Sequence, residues 1–234
     1  MIDFTRKRRI LITGASGGIG SAVASLYLQR EWEVFAQFNT TPPGVVGVTA
    51  IKKDLSLPGA GEEIVDAVRP HLVINSAADQ SVFAIDEGLA SIHERAMEML
   101  SVNLVAPLEI MRAASRHRTE LCINISSIEA LNARPGHALY GASKAALESL
   151  TRTAAVELAP MRVLGLRLGL ISRPGLEEAW PEGVSAWNQA VPMKRMGSAA
   201  EVARAIASIA SEDFSWATGT TIDFDGGFNA TPGW

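Results

Sequence analysis

Residues 9–20 read RILITGASGGIG, and this stretch decides the fold. A short apolar run leads into three glycines, Gly14, Gly18 and Gly20, and a helical pattern follows over residues 18–30. Glycine tolerates a positive φ and has no Cβ, so a tight strand-to-helix turn can bring its backbone close to a ligand. The N–H groups at the start of the following helix attract a phosphate. A purely structural turn is the alternative, but a position after the first strand favours dinucleotide binding.

The rest of the chain alternates short apolar runs with helical patterns. The runs occupy residues 10–12, 34–38, 72–74, 121–125, 163–168 and 220–224. The amphipathic or alanine-rich segments between them occupy residues 18–30, 62–68, 94–117, 139–158 and 199–210. Continuous apolar strands separated by helices predict a parallel sheet that is covered on both faces. Right-handed crossovers then give a doubly wound α/β sheet, which binds ligands at the carboxyl ends of its strands. Pro107 predicts a kink in the long helix.

The composition of the 234 residues fits one such domain, which we expect over residues 1–234. Hydrophobic residues make up 47%, and the net charge of -4 argues against a nucleic-acid partner. No apolar run approaches the roughly 20 residues of a membrane helix, and residues 1–9 lack the apolar core of a secretory signal. The single cysteine, Cys122, excludes an internal disulfide and favours a reducing, cytoplasmic compartment. The four histidines show no metal-ligand spacing, so no metal is expected.

Tyr140 and Lys144 are four residues apart in YGASK and share one face of the helix predicted over residues 139–158. A free phenol has a pKa of about 10, too high for proton exchange at neutral pH. An ammonium about 4 Å away favours the phenolate by roughly 1–4 kcal/mol, which lowers the pKa of the phenol by roughly one to three units. The pair is therefore a candidate proton donor and acceptor, with a solvated helix face as the alternative.

Two more polar groups belong to this constellation. Ser126 and Ser127 follow the run over residues 121–125, and Ser127 precedes Tyr140 by thirteen residues, at the carboxyl edge of the predicted sheet. Asn103 lies inside a predicted helix although asparagine has a poor helix propensity. This position indicates a specific functional role for its side-chain amide. A core amide bonded to the backbone is the alternative.

In these motifs and their order, the sequence resembles the short-chain dehydrogenase/reductase family, and in particular its 3-oxoacyl-(acyl carrier protein) reductases. The likeness covers nearly the whole chain and includes Asp54-Leu55, NSAA at residues 75–78, PMKRMGSAAEVARAI at residues 192–206 and TGTTIDFDGGF at residues 218–228. It implies a single domain with the Rossmann fold and hydride transfer between a nicotinamide coenzyme and a carbonyl or secondary alcohol.

The resemblance also implies catalytic roles for four residues. Tyr140 would protonate the carbonyl oxygen or deprotonate the alcohol, and Ser127 would stabilise the developing alkoxide. Lys144 would lower the pKa of Tyr140 and bond to the nicotinamide ribose. Asn103 would hold a water that connects Lys144 to solvent.

The resemblance further implies a coenzyme site and a substrate site. The implied coenzyme residues are Gly14, Ser16, Gly18, Ile19, Gly20, Phe38, Asn39, Thr40, Asp54, Leu55, Asn75, Ala77, Ala78, Tyr140, Lys144, Gly169 and Ile171. The candidate substrate residues are Asp79, Gln80, Glu129, Trp180 and Trp187. The two tryptophans lie in residues 171–192, which we expect to form a loop-and-helix insertion over the site, although ordinary packing would explain them equally well. His137 either lines the pocket or is a loop histidine.

The sequence departs from the family pattern at three positions. Ala78 stands where the family usually has glycine, Leu168 replaces a proline, and Arg173 falls where a threonine usually contacts the nicotinamide carboxamide. The backbone of Ile171 remains available for that contact.

The expected coenzyme is NADP, with NAD as the alternative. Phe38 stands at the end of the second strand, where NAD-preferring enzymes usually have an aspartate, so no carboxylate repels a 2′-phosphate. However, Ser16, Asn39 and Thr40 offer this phosphate no positive charge.

Our first hypothesis is an NADPH-dependent ketone reductase acting on a 3-oxoacyl-like or other small carbonyl substrate. An NAD-dependent alcohol or sugar dehydrogenase and a catalytically silent, dinucleotide-sensing regulator are the alternatives. By resemblance, helices 94–117 and 139–158 would form the interface of a homodimer or homotetramer.

Overall fold

Seven strands form one sheet in the computed structural model, which describes residues 7–82, 85–86 and 89–230. They are β1 (Arg9–Ile12), β2 (Glu33–Phe38), β3 (Thr49–Lys52), β4 (Leu72–Asn75), β5 (Leu121–Ser127), β6 (Arg162–Leu168) and β7 (Thr221–Phe224). All neighbouring strands run parallel, in the order β3-β2-β1-β4-β5-β6-β7. The chain thus winds outward in both directions from the β1–β4 pair, and the predicted doubly wound sheet is confirmed.

Eight helices connect or flank these strands in the described part of the chain. They are α1 (Gly18–Gln29), α2 (Ala60–Val68), α3 (Leu89–Leu100), α4 (Ala106–Ser115), α5 (Ala138–Glu157), α6 (Leu176–Ala179), α7 (Pro181–Ala190) and α8 (Ala199–Ile209). None of these helices is both long and apolar enough to cross a membrane. The described residues also contain no group of three histidine, cysteine, aspartate or glutamate side chains placed to hold a metal ion.

The core has two layers, one on each face of the sheet. Helices α1 and α8 pack on the face that receives Ile10 and Ile12, whereas α2, α4 and α5 pack on the face that receives Leu11. The side chains of β1 are therefore apolar on both faces, as the continuous apolar runs of the sequence require.

Two predicted elements need correction. The sequence indicated no strand over Thr49–Lys52, because this edge strand is mostly exposed and lacks an apolar run. The segment 94–117 is not one regular helix, since a π-helical turn, Ser101–Val105, separates α3 from α4. Pro107 lies in the first turn of α4, where its missing N–H group breaks no helical hydrogen bond. The interface expected on these helices remains a prediction.

A buried ion-pair network ties α5 to the sheet. The Arg167 guanidinium on β6 donates to both carboxylate oxygens of Glu148 on α5, at 2.9 and 2.6 Å, and also to Asp223 on β7 at 2.5 Å. The Ser126 hydroxyl donates to Glu148 at 2.6 Å. The side chains of Arg167 and Glu148 are only 11% and 6% exposed. Removal of one partner therefore leaves a buried charge uncompensated.

We expect Arg167→Met to lower the free energy of unfolding by about 3–5 kcal/mol, because the Glu148 carboxylate then stays buried without its cation. Urea unfolding at pH 7 measures this change. The double variant Arg167→Met/Glu148→Met should recover most of the loss, since it removes both charges. An Arg167→Met protein as stable as the wild type would show that the Arg167–Glu148 ion pair does not contribute to stability.

Candidate active site

Gly14, Gly18 and Gly20 in the first turn have different structural roles. A Cβ on Gly14, whose φ is +64°, would lie 2.7 Å from the Cα of Ala77, and a Cβ on Gly20 would lie 2.7 Å from the Cα of Ala15. These two glycines let the turn pack against the end of β4 and against itself. At Gly18, in contrast, a Cβ would meet no atom of the described residues within 4 Å. Gly18 therefore leaves open space at the start of α1.

Gln37 fixes this turn from the neighbouring strand. Its side-chain oxygen accepts a hydrogen bond from the Gly14 N–H at 2.9 Å, and its side-chain nitrogen donates to the Lys53 carbonyl at 2.6 Å. Its backbone carbonyl accepts from Ala15 at 2.9 Å. The sequence analysis did not select Gln37, although a glutamine inside an apolar run was the available signal.

The start of α1 fits a phosphate-bearing coenzyme. Among the described residues no side chain caps the first N–H groups of α1, and its first turn contains no acidic residue. Ser16 donates to the carbonyl of Thr41, while Asn39 and Thr40 are exposed after β2. The open space at Gly18 and these free N–H groups together suit a pyrophosphate.

Several other predicted coenzyme residues also stabilise the turns around this cleft. The Asp54 carboxylate accepts hydrogen bonds from the backbone and hydroxyl of Ser56, at 2.9 and 2.7 Å, and Leu55 is buried in the core. The buried Asn75 amide donates to Asn124 at 2.8 Å, across the β4–β5 pair. Contacts of these residues with a coenzyme remain predictions.

The structure brings Ser127, Tyr140 and Lys144 together at the carboxyl ends of the strands. The Ser127 and Gln80 side chains lie near the phenol of Tyr140 and lower its pKa. The Lys144 ammonium lies 5.6 Å from the centre of the Tyr140 ring and donates to the Ile125 carbonyl at 2.9 Å. Tyr140 is only 7% exposed, and Lys144 is buried as well.

Burial sets the ionisation of both groups. The net pKa of Tyr140 is about 12: burial raises it most and the Glu129 charge adds to the rise, whereas Ser127, Gln80 and Arg134 oppose it. Burial lowers the pKa of Lys144 to about 8. The lowered pKa expected for Tyr140 is therefore wrong for this structure: the net shift is upward, because desolvation of the phenol outweighs the nearby positive charges.

Asn103 lies in the π-helical turn and clamps the loop after β4. Its side-chain oxygen accepts from the Asp79 N–H at 2.8 Å, and its side-chain nitrogen donates to the Asp79 carbonyl at 2.9 Å and to Ser143 at 3.0 Å. Ser143 in turn donates to the Tyr140 carbonyl at 2.7 Å. Both amide hydrogens thus bond to protein atoms, and the implied role of Asn103 in holding a water that connects Lys144 to solvent remains a prediction. π-Helical turns often occur at functional sites.

The candidate substrate residues divide into two groups. Gln80 and Glu129 adjoin the phenol of Tyr140, whereas the Asp79 carboxylate bonds to the N–H and hydroxyl of Ser81 at 2.8 and 2.5 Å. The ring of Trp180 lies 4.7 Å beneath the Arg134 guanidinium. The sequence analysis did not select Arg134, because nothing in the pattern showed that its loop turns toward Tyr140.

Trp187 occupies a different place. It stacks on Phe228 with ring centres 5.0 Å apart, and it packs so closely that a Cβ on Gly169 would meet its ring at 2.8 Å. A cavity of about 640 Å³ is lined by Trp187, Gly169 and Ile171, whereas Ser127 and Tyr140 are absent from its described lining. Residues 171–192 do contain the short helices α6 and α7, and their role over the site remains a prediction.

A family model described as "Enoyl-(Acyl carrier protein) reductase" matches residues 14–229. L-xylulose reductase from Caenorhabditis elegans is 29% identical, with 97% of each chain covered. The 3-oxoacyl-[acyl-carrier-protein] reductase of Rickettsia conorii is also 29% identical, over 97% of this chain and 98% of that protein. The ligand-free aldohexose dehydrogenase of Thermoplasma acidophilum superposes with a TM-score of 0.87 at 26% identity, over 98% of this chain and 96% of that one.

The fold and the site define a dinucleotide-dependent enzyme of the α/β class, and the comparisons identify its family. The chain belongs to the short-chain dehydrogenase/reductase family. It is an oxidoreductase that uses a nicotinamide coenzyme.

We expect Gly18→Ala to weaken coenzyme binding by on the order of tenfold, because the methyl group fills the space at the start of α1. The free energy of unfolding should stay within about 1 kcal/mol of wild type, since alanine suits a helix and the methyl meets no atom. Fluorescence titration with NADPH and NADH measures the binding, and urea unfolding measures the stability. Gly14→Ala is the matched variant and should instead lose stability, because of its positive φ and close contact. Unchanged binding in Gly18→Ala would exclude this coenzyme cradle.

We expect Lys144→Met to stabilise the protein at pH 7 while abolishing activity. The unfolded lysine has a pKa of 10.5 and the folded one about 8, so the unfolded chain binds more protons between these values and stability rises with pH there. Below about pH 8, the buried charge costs about 3 kcal/mol. The variant should gain about 1–3 kcal/mol at pH 7, less the lost hydrogen bond to Ile125, and the gain should vanish above pH 10.5. Urea unfolding across pH 6–11 measures it, and a loss of stability at pH 7 would contradict it.

Proposed function

We propose that this enzyme is an NADPH-dependent carbonyl reductase that acts on ketones. The observation that carries the proposal is the buried phenol of Tyr140, which lies near Ser127 at the carboxyl edge of the sheet. A phenol with a pKa of about 12 stays protonated at neutral pH and is ready to give a proton to a carbonyl oxygen.

The geometry supports a separate chemical role for each of three residues. Ser127 donates a hydrogen bond to the reacting oxygen and stabilises the negative charge that develops there. Tyr140 transfers its proton to the same oxygen, and the Lys144 ammonium stabilises the phenolate that remains. The coenzyme supplies the hydride when it is bound.

The end of β2 supports NADPH over NADH. Phe38 is the last residue of this strand, and the neutral residues Asn39 and Thr40 follow it in exposed positions. No carboxylate among residues 38–41 repels a 2′-phosphate, and hydroxyl and amide groups are available as hydrogen-bond donors.

The substrate class has two candidates. The 3-oxoacyl reductase relative supports a 3-oxoacyl-like ketone. The L-xylulose reductase and aldohexose dehydrogenase relatives support a hydroxylated, sugar-like ketone instead. The side chains beside Tyr140 favour the second class, because Gln80, Glu129 and His137 give this wall hydrogen-bonding groups in place of apolar surface.

We expect the purified protein to oxidise NADPH faster than NADH with ketones, and a panel that includes acetoacetyl thioesters and L-xylulose separates the two substrate classes. Tyr140→Phe should lower kcat by about 10²–10⁴-fold, because it removes the proton donor and keeps the ring. Absorbance at the NADPH band measures the rate, and fluorescence titration shows how much of the loss comes from weaker coenzyme binding.

Three results would contradict parts of this proposal. Preference for NADH would overturn the coenzyme assignment alone. Equal activity of Tyr140→Phe would exclude the phenol as the proton donor. Coenzyme binding without turnover of any carbonyl or alcohol would support a dinucleotide-sensing regulator.

A further inference from the structure

Three charged side chains cluster in the segment between β5 and α5. The Glu129 carboxylate contacts Arg134, with Oε1 3.2 Å from Nη1, and His137, with Oε2 2.9 Å from Nδ1. The second contact lacks the alignment of a hydrogen bond. The side chains of Glu129 and His137 are each only 12% exposed. This Glu129 cluster (Glu129, Arg134 and His137) therefore holds a carboxylate largely out of water.

The cluster lies directly against the proton donor. The ring of His137 meets the ring of Tyr140 edge-on, with centres 6.0 Å apart. The backbone of Glu129 packs on the first turn of α5, where a Cβ on Gly141 would lie 2.7 Å from the Glu129 carbonyl oxygen. The residue after the tyrosine must therefore be glycine for Glu129 to come this close.

The cluster also shares a hydrogen bond with the other catalytic hydroxyl. The N–H of Glu129 donates to the Ser127 Oγ at 3.2 Å, which starts the short turn Ile128–Ala130. Glu129 is thus fixed in its main chain by Ser127 and in its side chain by Arg134, and it has little freedom to move away from Tyr140.

The groups that face Tyr140 have opposing charges. The segment after β5 contributes the negative Glu129 and the positive Arg134, and α5 contributes Lys144 together with His137, which is positive only when protonated. The loop after β4 contributes the neutral Gln80, while Met99 on α3 is apolar. Among these groups Glu129 is the only anion.

We propose that Glu129 is a positioning residue that keeps Tyr140 in its protonated form and so prepares the free enzyme for reduction. The inference rests on the proposed role of Tyr140 as proton donor. In reduction, the O–H bond of Tyr140 breaks, its electron pair stays on the phenolate, and the proton forms the O–H bond of the alcohol, while the nicotinamide coenzyme supplies the hydride. Oxidation needs the phenolate as base, and a neighbouring carboxylate makes this form less abundant.

Glu129→Gln tests the charge, because glutamine keeps the size of the side chain and its capacity for hydrogen bonds. We expect the midpoint for ionisation of Tyr140 to fall by about 0.5–1 pH unit, as for a unit charge several ångströms away at a partly buried site. At pH 8, the rate of alcohol oxidation should rise about three- to tenfold, because the phenolate becomes more abundant.

Three matched variants separate charge from structure. Arg134→Met removes the opposing cation and should move the midpoint upward. Glu129→Asp keeps the charge and should keep the midpoint near the wild-type value. Glu120→Gln makes the same chemical change at an exposed carboxylate beside Arg8, before the other end of β5, and should leave the profile unchanged.

A titration that needs no turnover completes the test. The chain has two tyrosines, and the hydroxyl of the other one, Tyr27, has no hydrogen-bond partner among the described residues, so Tyr27→Phe should be tolerated. In this background, tyrosinate absorbance reports Tyr140 alone, and circular dichroism shows whether the fold persists at each pH. Glu129→Gln should lower this titration midpoint by about 0.5–1 pH unit.

Each outcome has one meaning. An unchanged titration midpoint in Glu129→Gln overturns the inference, as does a rate that changes equally at every pH. A shifted titration in a protein that turns over no substrate supports the electrostatic link and overturns only the proposed function.

Discussion

The burial of two ionisable groups on one helix is the constraint on which the rest of the site depends. Water would stabilise the charged forms of Tyr140 and Lys144, and its exclusion moves each group toward its neutral form. The pKa of the phenol rises to about 12 and that of the ammonium falls to about 8, so the amine loses its proton at a lower pH than the phenol. The free enzyme at neutral pH therefore holds a phenol with a proton to give. Charged neighbours and hydrogen-bond donors then shift the pKa of this protonated phenol.

The hydrogen bonds around Tyr140 explain how the burial is maintained. Asn103 holds both backbone groups of Asp79 and reaches the catalytic helix through Ser143, which bonds to the Tyr140 carbonyl. This chain of contacts fixes the loop after β4 against α5, and Ala78 in that loop packs against Tyr140. The π-helical turn directs the Asn103 side chain into the interior. A π-helical turn is wider than an α-helical turn and shifts one residue out of the regular α-helical pattern. A side chain that never touches the phenol thus helps to keep water from it.

The sequence predicted the sheet, while the catalytic roles of the site residues remain predictions, and the reasons for the failures of sequence reasoning are physical. Buried strands carry apolar runs, so six of the seven strands were visible, whereas the exposed edge strand Thr49–Lys52 had no such signal. Ser127 was expected at the carboxyl edge because a parallel strand ends there, and the family resemblance grouped it with Tyr140 and Lys144. The direction of the pKa shift of Tyr140 was wrong, since spacing reveals a nearby charge but not the loss of water. The contacts of Arg134 with Glu129 and Trp180 depend on loop conformation, which the pattern did not encode.

Helix α5 carries two buried ionisable side chains: Lys144, whose charge is destabilising, and Glu148, whose ion pair anchors the helix to the sheet. Lys144 is buried at a cost that follows from its lowered pKa, and Glu148 lies one turn further along the same helix. Glu148 binds Arg167 from β6, and Arg167 also binds Asp223 from β7. Because charges buried as a hydrogen-bonded pair are far less costly than a lone charge, this network holds α5 in place without adding a second unpaired ion. The strand order makes this possible, since β5, β6 and β7 are successive neighbours: Ser126 on β5 and Arg167 on β6 reach Glu148 on α5, and Asp223 on β7 reaches Arg167. Lys144 thus carries the cost of a lone buried charge, while the ionic contacts that join α5 to the sheet lie one helical turn away at Glu148.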